Sequence, residues 1–331
     1  MKAAVYENYG PAETVSVTEI PTPVPGRGEV LIRVGASALS TADWRLRASA
    51  FPGGLWLAGR LYAGLFRPRN RVLGTDVAGV VAAVGPGVTR FAPGDRIFGF
   101  IGSGGHADYA VAPETAALQK VPEGLPDAEA AALPFGGLAA LVFLRDVAQL
   151  RPGQSVLIVG ASGGVGAYAT QIAKALGARV TAVAGAENAD FLRDLGADEV
   201  LDYRKDDLAR GRERHDLVFD TVGATTWPMM RKVLKKDGLF LPLNFGLRDL
   251  GHLLRARIAG GPRMALHVND DRPEDLAALV TLLEQRKLRP VIGARFPLDR
   301  IVEAHRFVEA RHKRGAVVID VAEPAEQRLR A

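Results

Sequence analysis

Val156-Leu-Ile-Val-Gly160-Ala-Ser-Gly163-Gly164-Val-Gly166 is the stretch whose reading decides the fold. Four apolar residues run into a glycine turn, and an amphipathic segment, Gly166 to Leu176, follows. That order reads as a buried strand, a tight turn and the start of a helix. Glycines without Cβ atoms let backbone approach a pyrophosphate, while a helix N-terminus offers free N–H groups and partial positive charge. Gly160, Ser162, Gly163, Gly164, Val165 and Gly166 are therefore the candidate cradle of a dinucleotide. A second strand, Arg179 to Val183, supplies the context that makes the glycine pattern more than a chance match.

The same alternation continues outward on the C-terminal side. Helix Ala189 to Leu195, strands Glu199 to Leu201 and Leu217 to Phe219, a helix near Trp227 to Leu234 and strand Leu239 to Leu241 follow. Strands alternating with helices at this spacing argue for a parallel, doubly wound sheet. Helices Pro273 to Gln285 and Asp299 to Ala310 precede a last strand, Ala316 to Val321, and Glu323 to Ala331 reads as a frayed tail. On the N-terminal side, Asp127 to Val147 is helical, broken at Pro134 and at Gly136-Gly137. Residues 1 to about 120 read instead as an all-β unit. Val30 to Val34, Val77 to Val84 and Tyr109 to Val111 are strand-like, with Pro/Gly turns between them. Ala48 to Arg71 interrupts this unit with Phe51, Leu55, Trp56, Leu57, Leu61, Tyr62 and Phe66. Two readings stay open for it, an insertion packed into the core or a flap over a site.

Composition narrows the chemistry. The 331 residues suggest about two domains at roughly 150 residues each. With 48% apolar and 24% charged residues, the chain has the mix of a globular protein. Cysteine is absent, which removes disulfides, thiolate zinc sites, iron–sulfur clusters and a cysteine nucleophile. The histidines, at 106, 215, 252, 267, 305 and 312, show no H-E-x-x-H or close pair suited to a metal. The net charge of +5 is scattered and reads as solvated surface, so nucleic acid is not an expected partner. The N-terminus lacks the apolar core of an export signal, so a cytoplasmic location is expected. The uncharged run Gly153 to Ala173 holds four of the cradle-region glycines, and reads as loop and helix rather than a membrane span.

The choice of cofactor turns on the end of the second strand. An acid about 20 residues beyond the glycines ordinarily holds the adenosine ribose of NAD. Gly185 stands at that count, in Ala184-Gly185-Ala186-Glu187-Asn188, which leaves space for a 2′-phosphate and favours NADPH over NADH. Glu187 is an awkward neighbour for that phosphate. Asn188 is a candidate at the same end, as is Tyr203, with Arg204 and Lys205 adding positive charge.

These residues carry a family resemblance. Leu73-Gly-Thr-Asp-Val-Ala-Gly79-Val80, Val84 to Gly99, Gly105-His-Ala-Asp-Tyr-Ala-Val111, the 160–166 cradle, Leu195 to Tyr203, Phe219-Asp-Thr-Val-Gly223 and His305 to Asp320 run in order along nearly the whole chain. The pattern resembles the zinc-free, quinone oxidoreductase-like branch of the medium-chain dehydrogenase/reductase superfamily. The resemblance implies a fold of class α/β plus β, in which a GroES-like β domain (1–122, completed by about 290–331) precedes a Rossmann domain (123–289). It places the cofactor between them. Ser40 and Gly74-Thr75-Asp76 occupy the places of the catalytic zinc ligands in alcohol dehydrogenases, and Ala42 that of the proton-relay hydroxyl.

Without zinc to polarise an alkoxide, alcohol oxidation loses its electrostatic support. The expected activity is hydride delivery from NADPH to a quinone, enone or enal. Such chemistry needs one or two donors toward the developing oxyanion. Ser40 and Thr41 are the candidates, although the branch often carries Asn and Pro there. Asp43 is read as fixing the loop through backbone N–H groups rather than as moving a proton. Trp44 and Phe51 line the pocket or the core. Asn244 and Phe245 follow a Rossmann strand where the family contacts nicotinamide through backbone. A homodimer is expected. The competing readings are a cofactor-binding regulator or RNA-binding relative, and a residual alcohol dehydrogenase.

Overall fold

The computed structural model describes residues 1–209, 214–311 and 313–322; the tail from Glu323 and His312 lie outside the described residues. The N-terminal part is built on β1 (Lys2–Tyr6), β2 (Val15–Glu19), β3 (Glu29–Leu39), α1 (Thr41–Ala48), α2 (Trp56–Ala63), β4 (Asp76–Val84), β5 (Arg96–Phe100), β6 (Tyr109–Pro113) and β7 (Ala117–Lys120). Strand β3 is longer than its sequence pattern predicts. Its eleven residues pair antiparallel with β4 along their length and with β6 near the start.

Helices α3 (Asp127–Ala131) and α4 (Pro134–Leu141) lead into the second sheet. Pro134 begins α4, where a missing N–H costs nothing. Gly136 and Gly137 do not break this helix, contrary to expectation. A Cβ on Gly136 would stand 2.2 Å from the Gly164 carbonyl oxygen, and one on Gly137 would stand 2.8 Å from Leu279. Both are glycine because neighbours press close, and α4 thereby buttresses the cradle.

The second sheet contains β8 (Ser155–Val159), β9 (Arg179–Ala184), β10 (Glu199–Asp202), β11 (His215–Asp220), β12 (Leu234–Pro242) and β13 (Arg263–Met264). All its pairings are parallel, in the order β10-β9-β8-β11-β12-β13. Helices α5 (Gly166–Ala175), α6 (Ala189–Asp194), α7 (Trp227–Met230), α8 (Leu247–Ala259) and α9 (Pro273–Glu284) connect or follow these strands. Helix α7 is shorter than predicted, because Leu234 already belongs to β12. Helix α8 has no counterpart in the sequence reading.

After α9 the chain returns to the first sheet. Strand β14 (Ile292–Pro297), helix α10 (Ile301–Glu309) and strand β15 (Ala316–Asp320) follow, and β15 pairs antiparallel with β3. From this sharing of strands we infer the division at about 122 and 290. Tyr168 on α5 ties the two parts, donating to Ala132 O at 2.8 Å and accepting from Val291 N at 3.2 Å. Phe143 and Phe219 stack 5.4 Å apart in the same core.

The insertion 48–71 does not pack into the core. Trp56, Leu57, Leu61, Tyr62 and Phe66 are all exposed around α2. Phe51 and Leu55 are half-buried, and the Phe51 ring lies where a side chain on Gly59 would be, beneath that helix. Trp44 packs on the cluster of Leu39, Leu298 and Ile301, with its indole Nε1 unpartnered.

Candidate active site

The glycines of the cradle divide by role. Gly160 has φ +77, a turn that L side chains resist, and a Cβ there would strike Val222 at 2.5 Å. At Gly166 a Cβ would stand 2.2 Å from the Gly160 carbonyl oxygen, so this glycine closes helix against strand. Around Gly163 and Gly164 there is room, with no protein atom nearer than 3.4 Å to an added Cβ. No side chain caps α5. Ala167 N in the first turn donates to Gly163 O at 3.0 Å, and the helix N-terminus opens onto the glycine turn, the arrangement that receives an anion.

One cation at this turn was not expected. The Lys313 ammonium lies 3.7 Å from the position of a Gly164 Cβ. Burial pushes its pKa down to about 8, against the opposing pull of Asp43 and Asp76. It is delivered by the returning chain, where Gly315 N donates to Ser162 O at 2.9 Å. In sequence Lys313 is one member of a basic run, Arg311 to Arg314, with no spacing that ties it to glycines 150 residues earlier. These features fit a dinucleotide: an uncapped helix N-terminus, open glycines and a desolvated cation facing them.

At the adenosine end, Glu187 folds back over Gly185, so that a Cβ there would meet its carboxylate at 2.5 Å. Arg204 holds that carboxylate through two hydrogen bonds, of 3.1 and 3.2 Å. Its own N–H and then Arg204 keep the Glu187 carboxyl below its ordinary pKa. Asn188 is buried, and its side-chain oxygen accepts from Arg314 Nε at 2.6 Å; Arg314 also donates to Glu187 O at 2.6 Å. Tyr203 is exposed, with the Arg204 guanidinium 5.3 Å over its ring. Arg204 and Arg314 thus flank Glu187, with Asp202 close by, its carboxylate accepting from Arg204 N at 3.1 Å.

At the opposite wall, Ser40 does not have the role expected of it. It caps α1, its oxygen accepting from Ala42 N at 3.1 Å and Asp43 N at 3.2 Å. Its hydroxyl proton goes to Asp43 Oδ2 at 2.7 Å, so it has none to offer a substrate. Asp43 also accepts from Ser40 N at 2.7 Å and from Gly74 N at 2.9 Å. These bonds tie its carboxylate to the backbone at the start of α1 and of the Gly74 loop. The signature Ser40-x-x-Asp43 marks a helix start and would have located α1.

Thr41 opens α1 with its hydroxyl making no hydrogen bond among the described residues, and Arg45 stands four residues on, on the same face. Arg45 donates to the side-chain oxygen of Asn244, which follows β12. Asn244 in turn donates to Thr221 O at 3.2 Å. The face carrying Thr41 and Arg45 therefore fronts the second sheet. Burial, and then Arg311, holds the Arg45 guanidinium below its ordinary pKa. Phe245, beside Asn244, is half-buried.

The histidines behind this wall are packing groups. His106 and His305 are buried edge to face, ring centroids 6.4 Å apart, and His106 Nε2 lies 3.2 Å from Ala38 O. Burial pushes His305 down to about 2 and His106 in the same direction. Asp76 is buried too, and burial raises its carboxyl well above the usual range, with Asp43 and Asp271 adding to it. Arg47 stands apart from the solvated surface expected of the scattered charge, being fully buried with bonds to Gly10 O and Glu309. Among the described residues no group of three or more His, Asp or Glu is placed to hold a metal ion.

The comparisons with known proteins agree with this layout. The alcohol dehydrogenase GroES-like domain family matches residues 26–123, and the zinc-binding dehydrogenase family matches residues 195–319. The chain belongs to the quinone oxidoreductase-like branch of the medium-chain dehydrogenase/reductase superfamily. It is 33% identical to a chloroplastic quinone-oxidoreductase of Triphysaria versicolor, over 97% of this chain and 98% of that protein. The structure of the quinone oxidoreductase from Coxiella burnetii superposes with a TM-score of 0.87 at 30% identity, over 97% of this chain and 99% of that one. A chloroplastic NADPH-dependent alkenal/one oxidoreductase of Arabidopsis thaliana is 29% identical, over 96% of this chain and 79% of that protein. The chain is a medium-chain NAD(P)H oxidoreductase. No helix among the described residues is long and apolar enough to cross a membrane.

Proposed function

We propose that the protein is a zinc-independent reductase acting on quinones or α,β-unsaturated carbonyls with NADPH. The observation that carries this reading is the α1 wall, where the Arg45 guanidinium and a Thr41 hydroxyl front the second sheet, the hydroxyl unbonded and no metal-ligand cluster beside them among the described residues. When bound, the nicotinamide supplies the hydride. Thr41 and Arg45 hold the oxyanion that grows on the acceptor's carbonyl oxygen, the charge that must be stabilised in such a reduction. Asn244 positions Arg45 through its side-chain oxygen. Asp43 and Ser40, bonded to each other and to backbone, keep the start of α1 rigid.

At the cradle, the uncapped turn of α5 and Lys313 take the pyrophosphate, and Gly163 and Gly164 leave it room. Arg204, Arg314 and Tyr203 receive the 2′-phosphate of NADPH, since Glu187 is already neutralised by Arg204. The relatives named for quinone and alkenal/one reduction support both acceptor classes.

The test is NADPH oxidation followed with a naphthoquinone, with an α,β-unsaturated ketone, and in reverse with NADP+ and simple alcohols, each before and after prolonged EDTA treatment. Turnover with either activated acceptor, unaffected by the chelator, is the expected result. Alcohol oxidation that EDTA abolishes and zinc restores would overturn the reading.

A further inference from the structure

Helix α8 presents two different faces. Leu253 and Ala256 pack inward on the second sheet. Leu247, Leu250, Leu254 and Ile258, spaced by three or four residues, form one outward stripe, with Leu254 61% and Ile258 77% exposed. The exposed Arg248 and Arg255 flank that stripe on one side and Arg257 on the other, by their helical spacing. Helix α2 adds Trp56, Leu57, Leu61 and Tyr62, and Phe66 beyond it is 84% exposed. The two surfaces adjoin, since Leu247 N donates to Gly53 O at 2.8 Å.

The charge around this patch is one-sided. Residues 48–71 contain four arginines, at 60, 67, 69 and 71, and no acid. Residues 246–263 contain four more, at 248, 255, 257 and 263, with Asp249 the only acid. Asp249 is spent on the helix start, accepting from Gly246 N at 2.9 Å.

We propose that this arginine-rimmed apolar face docks on the surface of an anionic lipid bilayer. Neither helix can span a membrane, so both would lie in its plane, apolar side chains among the acyl chains and guanidinium groups at the phosphates. A second copy of the chain is a poorer occupant, because an isologous contact would bring one arginine-rich face against another. The patch begins three residues beyond Asn244, on α8, and one loop beyond α1, on α2. Docking there would bring the chain around Asn244 and α1 close to the bilayer, whatever acceptor the site reduces.

The experiment is co-sedimentation of the full chain with phosphatidylcholine vesicles, with and without phosphatidylglycerol, at low and high salt. Binding to the anionic vesicles that falls with salt is expected, with little binding to phosphatidylcholine alone. The double variant Leu254→Glu/Ile258→Glu should lose binding at least tenfold while retaining its far-ultraviolet circular dichroism. Arg255→Glu/Arg257→Glu, which leaves the apolar stripe intact, should weaken binding to anionic vesicles several-fold and serves if the first variant misfolds. No sedimentation with anionic vesicles at low salt overturns the proposal. So does a wild-type dimer that Leu254→Glu/Ile258→Glu converts to monomer, since the face would then be a self-interface.

Discussion

Replacing Lys313 by Met removes one charge from the cradle and leaves the length of the side chain nearly intact. In the free protein burial holds this lysine at about 8 rather than 10.5. If a phosphate oxygen restores the ordinary value, the two protonation states differ by about 3 kcal/mol in their affinity for NADPH. A charge-assisted hydrogen bond contributes about 1.5–3 kcal/mol net, so Lys313→Met should raise the Kd for NADPH about 10- to 100-fold. The pH dependence has a definite sign. Below pH 8 the ammonium is present before the cofactor arrives, and Kd should be flat. Above pH 8 binding must take up a proton, and Kd should rise by up to tenfold per pH unit. The variant should lose that rise. It should also melt at a higher temperature without cofactor, because a desolvated cation has been removed. Titration of NADPH fluorescence from pH 7 to 9.5, with calorimetric melting of the free protein, measures all three effects. A folded Lys313→Met protein with wild-type affinity and an unchanged pH profile would refute the placement of pyrophosphate at this lysine.

Three further outcomes are expected. Gly164→Val should keep the fold, since an added Cβ has 3.4 Å of clearance, yet abolish NADPH binding measured by fluorescence; retained binding would move the cofactor off the cradle. Arg204→Ala releases Glu187 and removes a phosphate partner, so isothermal titration should show NADPH binding weakened about tenfold and NADH binding unchanged or tighter; an unchanged preference would remove this arginine from the 2′-phosphate site. His305 is held neutral in the fold with a pKa of about 2, so protonation of the unfolded chain should cost stability as pH falls below about 6.5, by about 1.4 kcal/mol per unit. Denaturant midpoints of His305→Gln between pH 5 and 7 should fall less steeply than those of the wild type, and parallel slopes would count against it.

Much of this protein was legible in the order of its residues. The alternation of apolar runs and amphipathic segments from Ser155 to Leu241 specifies a parallel sheet, because period and length are local properties that each element carries by itself. The glycine turn at 160–166 was equally legible, since only missing side chains permit that turn and that closeness. Asp43 was read as fixing its loop through backbone N–H groups, and the capping box at Ser40-x-x-Asp43 is a further local signal that lay in the sequence unread.

What the sequence could not show depends on residues brought together across the chain. Lys313 reaches the cradle only because β15 returns to pair with β3, and Arg45 finds Asn244 only because the two sheets face each other. Ser40 was lost as a donor for a similar reason of geometry, its proton being committed within the capping box. Gly136 and Gly137 look like helix breakers in sequence, yet tertiary contact with Gly164 and Leu279 makes them the residues that allow α4 to pack. The apolar residues of 48–71 give no sign in sequence of whether they face core or solvent. Burial is a property of the assembled molecule, and there the neighbours of Trp56 and Tyr62 leave them outside.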